Sequence, residues 1–408
     1  MSRVWLRGAA QVLRPPQDGL PYLRHDRAAA MALDPGDVVL EGGRVAGFSA
    51  AGSADVTVDA AGCAVLPGFV DCHTHLPFAG WRAEEYERKV TGVPYQEIAR
   101  AGGGIASSAR SLAETADEAV LAQAESLARE LLTHGTTAFE GKTGYGLSHD
   151  GEARAARLGR ELAARVVQPM RVTGLFAHAV PPGTTADAWM DEAEALAREC
   201  DVDALDIFVE SVAFSNEHLA RMGAIARDTG RPLRAHVEQL ATHRSVPVAL
   251  EWGARSVDHL SRMHPEDVTL LAASECAAVL LPGAELMNAE HAAPARALAD
   301  AGAIAVLATD LNPGTSPVAS MPVIIGLAVR RYGWSVREAL LAATLNAAWV
   351  LGWSDELGSL ELGKRADVLL LDGPAEHVPY RFGHNPVALV LAAGEPVWVR
   401  PDQAWRLG

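Results

Sequence analysis

The sequence predicts a (β/α)8 TIM barrel carrying a small β-sandwich domain formed by the N- and C-terminal segments. Three observations lead there. From about residue 66, eight short apolar runs alternate with Ala- and Leu-rich helical segments, the pattern that builds a closed parallel sheet with helices outside. Both flanks of that region read as strands with Gly-rich turns. The 408 residues are 49% hydrophobic and 21% charged, a globular composition with enough apolar mass for a large core. The expected division is a composite β domain over 1–65 and 352–408 and a barrel over 66–351.

The elements follow in order. DVVLEGGRVAGF holds two apolar runs split by EGG, which suits a hairpin. VTVDAAGCAVLPG continues in the same style. The eight barrel strands are read at AVLPGFVDCHTH, TTAFEGK, RVTGLFAH, ALDIFVE, PLRAHVE, ARSVDHL, AAVLLPG and IAVLATD. Between them, EAVLAQAESLARELLTHG stops at a glycine, and DEAEALAREC and NEHLARMGAIARDTG keep helical spacing. SVREALLAATLNAAWVLGW reads as a helical stretch after the eighth strand. Strands return at GSLELGKRADVLLLDG and VALVLAAGEPVWV. The long non-periodic connection, roughly 76–108, contains AGGGI, and a loop of that length is usually functional or a lid.

The formal charge of −16 makes the chain a poor candidate for binding a phosphate backbone, so no nucleic-acid partner is expected. The N-terminus lacks the apolar core of a secretory signal, and no run of about 18 apolar residues suggests a membrane span. Cys63, Cys72, Cys200 and Cys276 are scattered without a CxxC pair, which points to free thiols in a reducing compartment. The expected location is the cytoplasm.

In PGFVDCHTHLPFAGWR, His73 and His75 are two apart, so on a strand both face one side. Alone, HxH is equally a polar strand end. His236, His259 and Asp310, however, close the fifth, sixth and eighth predicted strands, and all the C-terminal strand ends of such a barrel converge on one mouth. Three imidazoles and a carboxylate (His73, His75, His236 and Asp310) match one divalent metal per chain, zinc or iron. A metal with an open position lowers the pKa of water toward about 7. Asp310 can then take the proton, and His259 can hydrogen-bond the water or a substrate oxygen. That is hydrolysis at a carbonyl or amidine-like carbon. A dinuclear site needs a bridging ligand. Glu210 is a candidate, although a rim salt bridge explains it as well, and Lys142 lies just after the second strand.

These motifs, with FAGWRAEEYERKVTGVPYQEI, AGGGI, EGKTGYGL, AHAVP, DIFVE, HVEQL, SVDHL and TDLNPG, resemble the amidohydrolase superfamily and, within it, the imidazolonepropionase family over essentially the full length. HxH and the aspartate mark only the superfamily; the glycine-rich and TDLNPG stretches are narrower. The resemblance implies opening of the ring of 4-imidazolone-5-propanoate to N-formimidoyl-glutamate in histidine degradation, and a homodimer. It also implies that Arg82 holds the substrate carboxylate, a task that suits a guanidinium fork. From sequence alone Arg82 equally makes a surface ion pair with Glu84 or Glu85. Tyr145, His178, Asn312, Gly314 and Thr315 match substrate-contacting positions. Read without the resemblance, Tyr145 is a loop tyrosine, His178 a rim histidine at the end of the third strand, and Asn312 a turn former with Pro313 and Gly314.

At Gln239 part of the family has a glutamate proposed as an acid/base, and the resemblance also covers variants with glutamine there. Glutamine can orient a substrate but cannot carry a proton, which moves that work onto Asp310 and His259. Glu238 is expected to aim away from the face of His236. ATHRSVPV lacks an expected glycine pair, and DCHTHLPF and KTGYG carry minor substitutions. The alternatives are another cyclic-amide hydrolase or a heterocycle deaminase, which usually needs a carboxylate near Gln239. A non-catalytic scaffold of the same fold is a third, and metal analysis separates it from the enzymes.

Overall fold

The computed structural model describes residues 3–50, 52–93, 97 and 102–407. The chain opens with β1 (Arg3–Arg14), β2 (Ala32–Glu41), β3 (Arg44–Gly47), β4 (Val56–Asp59) and β5 (Ala64–Pro67). It continues with β6 (Phe69–Asp71), β7 (Thr136–Lys142), β8 (Met170–Ala177), β9 (Ala204–Ile207), β10 (Arg234–Val237), β11 (Ser256–His259), β12 (Ala277–Leu280) and β13 (Ile304–Leu307). It ends with β14 (Val368–Leu371), β15 (Val387–Ala392) and β16 (Glu395–Val399).

The two ends of the chain form one eight-stranded sheet, ordered β16-β15-β14-β5-β1-β2-β3 with β4 beside β1. Every second residue of its strands, such as Val4 and Leu6, Val38 and Leu40, Val368 and Leu370, Leu389 and Leu391, points into an apolar cluster of its own. The expected hairpin is β2 with β3, antiparallel.

The barrel consists of two parallel runs, β6-β7-β8-β9 and β10-β11-β12-β13. Bridges Leu205–Leu233 and Phe208–His236 join β9 to β10, and Thr74–Leu311 closes β6 onto the end of β13. Helices cover the outside. That at Asp117–Thr133 buries Val120, Leu121, Ala124, Leu127, Ala128 and Leu131 on one stripe. That at Asn216–Thr229 ends on Gly230 in the left-handed region.

Two expectations change. The run AVLPGFVDCHTH is not one strand. β5 pairs with β1 and β14 in the terminal sheet, whereas β6 pairs with β7 in the barrel. Period-2 hydrophobicity cannot mark where an apolar chain leaves one sheet for another. The stretch 335–353 is two helices, Val336–Ala342 and Leu345–Val350. Thr344 interrupts them at φ −132°, ψ −99°. Its hydroxyl donates to the Leu340 carbonyl at 2.6 Å, a local bond of the kind that bends helices. In the long connection, Ala83–Val90 and Ile105–Glu114 are helices. The part of the family-like stretch at 94–96 and 98, and Ala101 of AGGGI, lie outside the described residues.

Candidate active site

β6 hands the chain to His73, Thr74 and His75 at the barrel mouth. Thr74 turns outward and donates its hydroxyl to the Glu140 carbonyl at 2.6 Å, so His73 and His75 turn inward together. Their Nε2 atoms lie 3.6 and 3.3 Å from Asp310 Oδ1. His236, on β10, brings its ring centroid to 4.5 Å from that of His73. Ligand atoms of His73, His75 and His236 all lie within 4.8 Å of one another.

The donor chemistry fits a metal. His73 Nδ1 donates to Asp258 Oδ2 at 2.6 Å and His236 Nδ1 to Asp206 Oδ1 at 3.1 Å. Each ring therefore presents an Nε2 lone pair, and both Nε2 atoms are buried without a hydrogen-bond partner. A carboxylate behind a histidine is the usual device for fixing the tautomer of a metal ligand. Burial, reinforced by Lys142 and the neighbouring imidazoles, holds His73 and His75 well below the usual histidine range, so both are neutral and able to coordinate. Burial lifts Asp310 to about 7, against the opposing pull of His236, Asn312, Lys142 and Arg82. Both Asp310 and His259 have left-handed backbone, at φ 54° and 80°. That strain for residues with a Cβ is typical of active sites.

A cavity of about 580 Å³ opens over this cluster. Every residue expected to hold the single metal, act in catalysis or contact the substrate lines it except His73, which lies fully buried beneath. Arg82 is not a surface side chain; it is 9% exposed, and Glu85 stands 3.9 Å from its Nε. Its Nε and Nη1 are buried without hydrogen-bond partners. Glu85 is held elsewhere, accepting from the Gly104 amide at 2.9 Å. Tyr145 is buried on a loop whose amides at Gly144, Gly146 and Leu147 all donate to Glu152. Gly144, at φ 113°, admits no side chain, because a Cβ would lie 2.8 Å from His178 Nδ1. His178 stacks on His75 with centroids 5.3 Å apart. Its Nδ1 donates to the Gly144 carbonyl at 3.0 Å, which leaves Nε2 as an acceptor.

Four further residues take these places. Asn312 reaches the cavity wall, but its amide serves the turn. Its Oδ1 accepts from the amides of Gly314 and Thr315 at 2.9 and 2.7 Å, and its Nδ2 donates to the Asp310 carbonyl at 2.7 Å. Glu210 makes the rim ion pair that the sequence also allowed. It accepts from His243 Nε2 at 2.6 Å and from the amides of Ser211 and Leu240 at 3.0 Å, which pins the loop carrying Gln239. Lys142 lies inside β7, buried, with Nζ 2.8 Å from both Glu140 Oε2 and Asp206 Oδ2. Glu238 does turn away, accepting from the His243 and Ser245 amides at 3.1 and 2.7 Å.

Sequence reasoning missed the layer beneath the histidines. Arg234 Nη2 is 2.7 Å from Asp258 Oδ2 and its Nη1 donates to the Cys72 carbonyl at 2.6 Å. With Lys142, Glu140, Asp206 and Asp258 it forms a fully buried ionic net, which holds the two carboxylates that aim His73 and His236. Burial alone would raise Asp206, but His236 and Lys142 hold it well below the usual carboxylate range.

A barrel with a His/Asp metal-binding group at the C-terminal strand ends defines a metal-dependent hydrolase. The chain matches the amidohydrolase family over residues 64–397, and it belongs to that family. Within it the chain belongs with the imidazolonepropionases. The relative from Rubrobacter xylanophilus is 40% identical over 93% of this chain and 95% of its own length. The one from Agrobacterium fabrum is 37% identical over 97% and 96%. Solved structures share the fold at lower identity. An atrazine chlorohydrolase mutant from Arthrobacter aurescens complexed with zinc and atraton superposes at TM-score 0.71, with 18% identity and 98% of each chain covered. A zinc-bound adenosine deaminase from Xanthomonas campestris gives 0.67, with 19% identity over 97% of this chain and 93% of that one. All four cysteines are free thiols. Among the described residues no helix is long and apolar enough to cross a membrane.

Proposed function

We infer that this chain hydrolyses 4-imidazolone-5-propanoate to N-formimidoyl-L-glutamate in histidine degradation. The observation that carries the substrate is Arg82. Its guanidinium offers two unpartnered, buried N–H groups to the cavity that holds the histidine and aspartate cluster. Those groups match a carboxylate on the substrate, and the propanoate arm supplies one.

His73, His75, His236 and Asp310 would hold one divalent ion, zinc or iron. When bound, such an ion polarises a carbonyl and acidifies water. The protein's residues do the rest. Arg82 fixes the propanoate. His178 accepts from a ring N–H, and Tyr145, Gly314 and Thr315 shape the wall beside it. Gln239 orients the ring, and His259 hydrogen-bonds the carbonyl oxygen. Asp310 accepts a proton from the attacking water, whose oxygen bonds to the ring carbonyl carbon. A homodimer in the cytoplasm belongs to the same proposal, as does the division into a β domain over 1–65 and 352–408 and a barrel over 66–351.

Metal-replete protein should consume 4-imidazolone-5-propanoate, read as loss of its ultraviolet absorbance. Absence of turnover would remove the substrate assignment and leave the family. The carboxylates behind the histidines make a second prediction. Asp258→Asn should weaken metal binding by about 10–100-fold, measured by competition with a chromogenic chelator. Unchanged affinity would mean that Asp258 does not set the His73 tautomer.

A further inference from the structure

Gln239 leaves a gap in the chemistry. Ring opening places a proton on the departing nitrogen, and an amide cannot give one. A carboxyl stands beside it. Glu290 follows the helix Pro282–Met287, and its Oε1 accepts from Gln239 Nε2 at 3.3 Å. Both side chains line the cavity with Asp310. The other oxygen, Oε2, is shielded from solvent and has no hydrogen-bond partner. The backbone is fixed by the Glu290 amide donating to the Glu285 carbonyl at 2.9 Å.

We propose that Glu290 is the proton donor to the leaving ring nitrogen, supplying from the neighbouring loop what Gln239 cannot. The role rests on the substrate reading above. The oxygen of water bonds to the ring carbonyl carbon, and one of its protons passes to Asp310. The bond from that carbon to the ring nitrogen breaks, its electron pair stays on nitrogen, and nitrogen takes the Glu290 proton. The proton on Asp310 then returns through solvent to Glu290. The new carboxyl group ionises by releasing the other water proton. One water is added in total.

The surroundings suit a donor. The groups facing Glu290 are Lys89 on Ala83–Val90, Glu285 on Pro282–Met287, Asp310 beyond β13 and Gln239 beyond β10. Burial raises the Glu290 carboxyl to about 7, with Asp310 and Glu285 adding to it and Gln239 and Lys89 opposing. Lys89 makes its hydrogen bond to Asn288 Oδ1, so it acts on the Glu290 carboxyl through its charge, and burial outweighs it. A carboxyl that is partly protonated near neutral pH both gives and regains a proton.

The test is Glu290→Gln in the full-length, metal-loaded protein, with metal content and melting temperature checked first. The wild-type kcat should fall as pH rises through about 7, because the acid form is the donor. Glu290→Gln should lower kcat by about 10²-fold or more, leave KM within about twofold, and lose that pH limb. Adding Gln239→Glu to Glu290→Gln should restore at least about tenfold of kcat, since a carboxyl then stands one hydrogen bond away. In the infrared difference spectrum of wild type minus Glu290→Gln, one protonated-carboxyl component near neutral pH should be lost, a readout that needs no turnover. If Glu290→Gln keeps kcat and the limb, or changes only KM, Glu290 merely holds Gln239 and the proposal fails while the substrate reading stands. If the wild type does not turn over the ring compound, both fall.

Discussion

Asp310→Asn should lower kcat by about 10⁴-fold while the folded barrel persists. Loss of a proton acceptor alone costs about 10²–10⁴-fold, and this substitution also removes one member of the metal group, whose Oδ1 lies 3.3 Å from His75 Nε2. The fold should tolerate it. A carboxamide is nearly isosteric with the carboxylate it replaces, and asparagine accepts the left-handed backbone at φ 54°. A stability signature of opposite sign accompanies the loss. In the metal-free protein, burial lifts Asp310 from 3.8 to about 7. Between those values the folded state keeps a proton that the unfolded chain has released. Metal-free wild type therefore loses stability as pH rises from about 4 to about 7, and Asp310→Asn should flatten that decline. Melting curves against pH, with and without metal, check it. A metal-free variant whose pH dependence matches wild type would mean the carboxylate is not buried as described.

The parts of this site legible in the sequence were those set by a short geometric rule. Two residues apart on a strand means one face, so HxH gave a pair; strand ends in a barrel meet, so His236, His259 and Asp310 joined it. The ionic layer beneath obeys another rule that goes unread unless it is sought. Lys142, Asp206, Arg234 and Asp258 each place a charge inside an otherwise apolar strand run, and buried charges persist only when paired. Four such charges on strands of one barrel were a signal in plain view. Glu290 left none. It lies on a connection between helices, and its bond to Gln239 spans 51 positions. Arg82 was ambiguous for a related reason, since Glu85, three residues on, offered an ordinary partner. Only packing shows that Glu85 is committed to the Gly104 amide.

Arg82 also supports the sharpest test of substrate recognition, because a second residue controls it from behind. Arg82→Ala should lower kcat/KM by about 30–10³-fold, the equivalent of about 2–4 kcal/mol for an unpaired buried carboxylate, with most of the effect in KM. Arg82→Lys should recover only part of that, since an ammonium keeps the charge but not the fork. The guanidinium lies flat against Gly314: a Cβ there would fall 1.7 Å from Nη2 and 1.9 Å from Nε. The Arg82 amide donates to the Pro313 carbonyl at 2.9 Å, so the two segments cannot slide apart freely. Gly314 does not have left-handed backbone, and alanine should be tolerated by the turn itself. Gly314→Ala should therefore displace only the fork, raising KM toward the Arg82→Ala value with little change in melting temperature. Arg82→Ala in the Gly314→Ala background should then add little, because both act on one contact. If Arg82→Ala leaves kcat/KM unchanged, the carboxylate clamp is wrong. If Gly314→Ala is harmless while Arg82→Ala is not, the charge is what binds and its flat packing against the turn is incidental.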